Sequence, residues 1–204
     1  MKIILDFDNT LFHEEPFARN MRERFQEYGI SDDIYDKSVL EARDGEVWLQ
    51  FRLMKLLAER SSVPFSHLKQ ALDAAISRAK EFLYPDVIAF LQTVQADHQV
   101  SILTFGDDKF QRMKVAGAGI SWYLQNVVVT QDIQKVADAE ALALGEAALF
   151  IDDNPRALEA VKNRALHITT VRMRRGHGKY TNAPSGRGVD YEIQNLNELQ
   201  HLLL

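Results

Sequence analysis

Cysteine is absent from the 204 residues. That excludes disulfide scaffolds, Cys-ligated zinc, iron–sulfur clusters and thiol catalysis. No run approaches the roughly 18 apolar residues of a membrane span, and the most apolar stretch, 141–151, already contains Gly145 and Glu146. The N-terminus offers only Ile3, Ile4 and Leu5 before Asp6, too little for the apolar region of a signal peptide, so the expected location is the cytoplasm. Excess basic charge is missing too. There are 24 Lys and Arg against 29 Asp and Glu, a net charge of −5, which gives no general attraction to nucleic acid or to an anionic membrane surface. Glycine and proline are sparse, at 10 and 5, which excludes a collagen. Repeats and low-complexity segments are lacking. What remains is 46% hydrophobic and 26% charged, ordinary for a globular protein. The length suits one domain, or one domain with a sizeable insertion.

Short β-rich runs alternate with longer helical patterns. The strand candidates are Lys2–Asp8, Gln99–Phe105, Asn126–Thr130, Ala148–Asp152 and His167–Met173. Most are too apolar to keep one face wet, so they read as central parallel strands with helices on both sides. The β–α–β order from Gln99 onward implies right-handed crossovers and an α/β fold, a Rossmann-like open parallel sheet. Asp86 is placed to cap a helix presenting Val87, Phe90, Leu91 and Val94. Asn154 before Pro155 marks another helix start. Asn195 with Glu198 resembles a capping box opening a final helix of Leu196, Leu199 and Leu203.

One stretch breaks the alternation. About ninety residues separate the first strand from Gln99 without a convincing strand. Phe17, Met21 and Phe25 recur every four residues, Val47 to Ala58 is broadly apolar, and Leu68, Leu72, Ala75, Ile76, Ala79 and Leu83 form a helical stripe. A single crossover helix needs far fewer residues. Residues 13–84 are therefore expected to be an inserted all-helical domain, with 1–12 and 85–204 forming the α/β core.

The first strand runs into Asp6-Phe7-Asp8-Asn9-Thr10-Leu11. Carboxylates two residues apart on a strand share a face. Like charges that close repel, which raises a pKa or demands a cation. A strand-exit turn also favours Asp and Asn, but it does not explain the apolar lead-in. Thr104 closes the second strand, Lys135 follows the third, and Asp152 and Asp153 close the fourth. In an open parallel sheet, ligands bind at the carboxyl ends of the strands, and all these candidates map to that edge.

On these residues the chain resembles the haloacid dehalogenase-like hydrolases, a superfamily composed mostly of phosphatases, over nearly its whole length. Asp6-Phe7-Asp8-Asn9-Thr10 is similar to the first motif, Thr104 to the second, Lys135 to the third and Ile151-Asp152-Asp153-Asn154-Pro155 to the fourth. The family commonly has Pro after the motif lysine, whereas Val136 follows here. The insertion resembles the helical cap of many members. The resemblance implies a Mg²⁺-dependent phosphomonoesterase acting on a small phosphorylated metabolite. It implies that Asp6 attacks phosphorus to form an aspartyl-phosphate and that Asp8 serves as general acid, then base. It implies a magnesium held by the Asp6 side chain, the Asp8 main-chain carbonyl and Asp153, with Asp152 orienting ligands from behind. Oxygen-only ligands suit Mg²⁺. Thr104 and Lys135 would bind the phosphoryl oxygens, backbone N–H groups near Phe7, Asp8 and Phe105 would complete the cradle, and Gly106 would join the phosphate-binding set by allowing close backbone approach.

Three rival functions use the same residues differently. A phosphotransferase or mutase shares the aspartyl-phosphate. A carbon–halogen hydrolase needs the nucleophile but neither Asp8 nor the Asp152–Asp153 pair. A non-catalytic anion-binding or regulatory module would be marked by loss of a catalytic residue, and none is missing. No membrane or nucleic-acid partner is expected, and no motif bears on oligomeric state. Lys109 and Lys114 lie in the same half as Lys135. His13 reads as a hinge or exposed loop residue, and Trp48 and Phe51 as core packing. The stretch from Arg172 to Arg187 holds Arg172, Arg174, Arg175, His177, Lys179 and Arg187 and no acid. It reads as a mobile solvated loop, with attraction of an anionic substrate or partner as the alternative.

Overall fold

The computed structural model describes residues 1–203. In chain order the elements are β1 (Lys2–Leu5), α1 (Glu14–Glu27), α2 (Asp32–Glu41), β2 (Arg43–Asp44), β3 (Val47–Trp48), α3 (Gln50–Arg60), α4 (Phe65–Ser77), α5 (Val87–Val94), β4 (Gln99–Phe105), α6 (Asp108–Gly117), β5 (Asn126–Thr130), α7 (Val136–Ala143), β6 (Ala148–Asp152), α8 (Pro155–Arg164), β7 (Ile168–Met173) and β8 (Tyr191–Ile193). They fall into two compact units. A sheet unit comprises Met1–His13, Leu83–Phe105 and the chain from Ile120 onward; a helical unit comprises Glu14–Phe82 and Gly106–Gly119.

The sheet unit is an α/β fold built on one six-stranded sheet, in the order β5-β4-β1-β6-β7-β8. Every neighbouring pair is parallel. β1 and β6 are buried along their whole length, as their unbroken apolar runs demand. Ile4, Leu103 and Phe150 pack with Ala139 and Ala143 of α7 and with Leu158 and Val161 of α8. The chain moves from β1 outward to β4 and β5, then returns to β6 on the other side of β1. That reversal is the topological switch point, where open sheets bind ligands.

Some local expectations shift. β1 ends at Leu5 rather than Asp8, because the chain then coils so that Thr10, Leu11 and Phe12 all donate backbone N–H to the Phe7 carbonyl. Asn154 caps α8 through Arg156 N–H. The Asn195–Glu198 capping box forms, but it opens a 3₁₀ helix, Leu196–Leu202. Asp86 adopts helical backbone angles and makes no side-chain cap. Its carboxylate instead accepts from Leu196 N–H (2.6 Å) and Arg175 Nη1 (2.7 Å). β8 has no counterpart in the sequence reading, since three residues are too few to show a period.

The helical unit is built on amphipathic faces: Phe17, Met21 and Phe25 of α1 are buried, as are Leu68, Leu72 and Ala75 of α4. It is not wholly helical. Arg43–Asp44 and Val47–Trp48 pair as an antiparallel ribbon, so the apolar run expected from Val47 starts as strand and becomes helix at Gln50. On the sequence pattern 106–119 belongs with the sheet. In the structure α6 packs on α4 so closely that a Cβ on Gly117 would lie 2.4 Å from the Ile76 carbonyl oxygen. Phe110 of α6 also meets Trp48 edge-on at 5.5 Å.

The basic stretch after β7 is anchored within the sheet unit. Arg175 donates through Nε and Nη2 to the Thr10 carbonyl and through Nη1 to Asp86. Its guanidinium also lies 4.2 Å from the Tyr84 ring centroid. His13 stacks on Tyr84 and meets the His177 ring at a tilt. The Arg175 and Asp86 side chains are 5% and 9% exposed, so breaking the pair strands a buried charge. Arg175→Met is expected to lower unfolding free energy by about 3–5 kcal/mol, read from urea denaturation. The double variant with Asp86→Leu should lose less than the sum of the two single losses.

Candidate active site

Each candidate residue is carried to the C-terminal edge of the sheet by a local device. Asp6 follows β1 and donates its backbone N–H to Ile151 of β6 (2.8 Å). That bond holds it beside Asp152 and Asp153. Thr104 sits near the end of β4, fully buried, with Phe105 after it. Lys135 reaches the edge through a turn. Asp132 N–H donates to Thr130 Oγ1, Gln134 N–H to Asp132 Oδ1, and Lys135 N–H to the Asp132 carbonyl. The turn leaves Lys135 in the left-handed region at φ 58°, uncommon for a residue with a side chain.

The ammonium bridges two carboxylates. Lys135 Nζ donates to Asp6 Oδ1 at 2.6 Å and to Asp152 Oδ2 at 2.8 Å. Asp152 Oδ1 accepts from Asn154 N–H at 2.8 Å. Both Asp152 oxygens are therefore engaged. One oxygen from each of Asp6, Asp152 and Asp153 lies within 4.8 Å of the others. Asp8 is half-buried in the Phe7–Phe12 loop. Gly106 has φ +145°, and a Cβ there would press on the Gln111 side chain at 3.2 Å. Lys109 and Lys114 belong to α6 in the helical unit.

Crowding shows in the ionisation of these groups. Burial pushes the Asp6 carboxyl up to about 7; Lys135 opposes the shift, while Asp152 and Asp8 add to it. Burial also lifts Asp153 well above the ordinary carboxylate value, with Asp152 and Asp6 adding repulsion. For Lys135, burial favours the neutral amine, but the Asp152 and Asp6 carboxylates outweigh it and raise its pKa. One ammonium cannot balance three carboxylates. The surplus of negative charge and the all-oxygen donor set fit a hard divalent cation such as Mg²⁺. Asp153 and the second oxygen of Asp6 are left to hold it, since Lys135 takes Asp6 Oδ1 and both Asp152 oxygens are engaged.

This geometry accompanies a clear structural likeness. A structure described as a haloacid dehalogenase-like hydrolase from Burkholderia xenovorans LB400 superposes with a TM-score of 0.75 at 22% identity, covering 97% of this chain and 93% of that one. The chain has the haloacid dehalogenase-like fold. A phosphatase with this fold, from Thermococcus onnurineus, matches with a TM-score of 0.66 at 22% identity, covering 100% and 98% of the two chains. A magnesium-bound hydrolase, YfnB from Bacillus subtilis, matches with a TM-score of 0.63 at 18% identity over 99% and 97%. Dehalogenases share the haloacid dehalogenase-like fold as well. No protein-family model matches the chain, and no curated protein matches it.

Two groups were missed as site elements in the sequence. The Asn154 backbone N–H holds Asp152 at 2.8 Å, whereas the sequence showed Asn154 only as a helix cap and as part of the fourth motif. Arg175 ties the basic loop to the carbonyl of Thr10, 165 positions away; its only sequence signal was membership of an acid-free basic run.

Proposed function

We propose that the protein is a Mg²⁺-dependent phosphomonoester hydrolase acting through an aspartyl-phosphate on a small phosphorylated metabolite. The observation that carries this reading is the Lys135 ammonium seated between Asp6 and Asp152, beside Asp153. Asp6 would hold the cation through its side chain with Asp153, and the Asp8 main-chain carbonyl would join them. When bound, the cation supplies positive charge to a phosphoryl oxygen. Asp6 forms the bond to phosphorus while the ester oxygen departs, and Asp8 gives that oxygen its proton. Asp8 then takes a proton from the water that attacks the phosphoryl group, which releases phosphate and regenerates Asp6. Thr104, the backbone around Phe105 and Gly106, and Lys135 bind the phosphoryl oxygens. The chain enters the helical unit after His13, shortly past Asp6 and Asp8, and again after Phe105, which suits a cap that selects substrate.

The dehalogenase neighbours favour one second reading, carbon–halogen hydrolysis, which uses Asp6 alone. A screen of sugar phosphates, nucleotides and organic phosphates should give phosphate release that stops when EDTA removes Mg²⁺. Chloride release from haloacids without added metal, in place of phosphate release, would reverse the assignment.

A further inference from the structure

The sheet unit holds a cavity of about 430 Å³ between the end of β7 and the loop that follows it, and Asp153 forms part of its wall. Arg172, Arg174, Arg175 and His177 line it as well. Two of these arginines are neutralised: Arg174 by Glu192 at 3.2 Å and Arg175 by Asp86 at 2.7 Å. Arg172 is different. It is 1% exposed, yet it makes no ion pair with any acid among the described residues. Its Nη1 and Nη2 donate to neutral acceptors, Ser185 Oγ (2.6 Å) and the Tyr180 carbonyl (2.8 Å). Its Nε is buried with no partner. A buried guanidinium with no carboxylate bonded to it directly, and with one donor unused, is costly unless an anion completes it. Burial and the neighbouring Arg174 cation pull its pKa below the ordinary value, against the weaker attraction of the Glu192 and Asp153 carboxylates.

The position of Arg172 says where that anion belongs. Arg172 is level with Asp152 in the β6–β7 ladder, one strand spacing, about 4.8 Å, to the side. The cavity thus runs from the acidic cluster, at Asp153, to the unpaired guanidinium.

The geometry points to a second anion subsite: Arg172 holds a carboxylate or second phosphate of a substrate whose phosphoryl group sits at Asp6. This inference rests on the phosphohydrolase reading and narrows it to doubly anionic phosphate esters with a short spacer. It makes Arg172 a specificity residue, which binds the non-reacting end of the molecule.

The test is calorimetric titration of the whole protein in Mg²⁺. The probes are phosphonoacetate, 3-phosphonopropionate and 4-phosphonobutyrate, each against the alkylphosphonate of matching length. The wild type should bind at least one phosphonocarboxylate about tenfold or more tightly than its alkyl counterpart, the worth of a charge-assisted hydrogen bond. Arg172→Gln should bring that ratio close to one. Because a change at a buried arginine can unfold the protein, Asn182→Glu provides a second variant. Asn182 lines the cavity and is exposed, and its added carboxylate should also erase the preference by repulsion. No preference in the wild type, or a preference that survives both substitutions, overturns the subsite. The two readings fail separately. Absence of Mg²⁺-dependent phosphate release from every ester removes the hydrolase assignment, whereas a preference erased by Arg172→Gln still sustains the anion subsite.

Discussion

Asp6→Asn is expected to abolish turnover while leaving the protein folded. The amide keeps the shape of the carboxylate but cannot attack phosphorus, and losing a nucleophile typically costs on the order of 10⁴-fold or more in kcat. Stability should move the other way. The carboxyl of Asp6 is raised from 3.8 to about 7 by burial. A group raised in this way contributes stability below its unfolded pKa and loses it as pH rises through the folded value. At pH 7.5 without metal, the ionised Asp6 therefore weighs against the fold, and the neutral amide removes that weight. Urea denaturation of Asp6→Asn at pH 7.5 in EDTA should give a midpoint no lower than wild type, beside a null result in the phosphate-release assay. Near-normal Mg²⁺-dependent turnover in this variant would remove Asp6 from the role of nucleophile.

Lys135→Met carries the second large effect, and it should touch both rate and stability. The ammonium is buried between Asp6 and Asp152. Without it, no ammonium bridges Asp6 and Asp152, and Asp153 adds a third carboxylate beside them. Removing one partner of a buried ion pair costs about 3–5 kcal/mol, and removing a preorganised cation from a developing anionic centre costs roughly 10²–10³-fold in kcat. Magnesium should partly replace the missing charge. The rise in Tm on adding Mg²⁺ is therefore expected to be larger for Lys135→Met than for wild type, because binding to the native state stabilises it by mass action. A variant with unchanged Tm in EDTA and unchanged kcat would show that the bridging ammonium has neither role.

The contrast between Asp6 and Lys135 shows how unevenly the site was written in the chain. Asp6 and Asp8 stand two apart at the end of an apolar run, so proximity and chemistry are visible in one short segment. The Asp152-Asp153-Asn154-Pro155 turn is similarly local. Lys135 has no such signature. Val136 follows it where the resembling family commonly has Pro, and Lys109 and Lys114 compete with it on composition alone. Only the left-handed turn after β5 and the placement of β6 beside β1 bring its ammonium to both carboxylates. The basic loop is a sharper case. Charge and glycine content describe a solvated segment, whereas Arg175 is bonded to Thr10 and Asp86, and Arg172 is buried with no carboxylate in ion-pair contact among the described residues.

By itself the sequence determined the parallel α/β core, the long insertion after the first strand and the paired aspartates at two strand ends. These depend on periodicity and on neighbours a few residues apart, which a linear chain displays directly. Tertiary structure decided that α6 packs with the inserted helices, that residues 47–48 form a ribbon, that Asp86 binds an arginine instead of capping its helix, and which lysine and which arginine stand at the acidic edge. Apart from the ribbon, a local hairpin with residues 43–44, those outcomes turn on close packing and buried charge between segments tens to more than a hundred residues apart, where partners are chosen by burial and not by spacing along the chain.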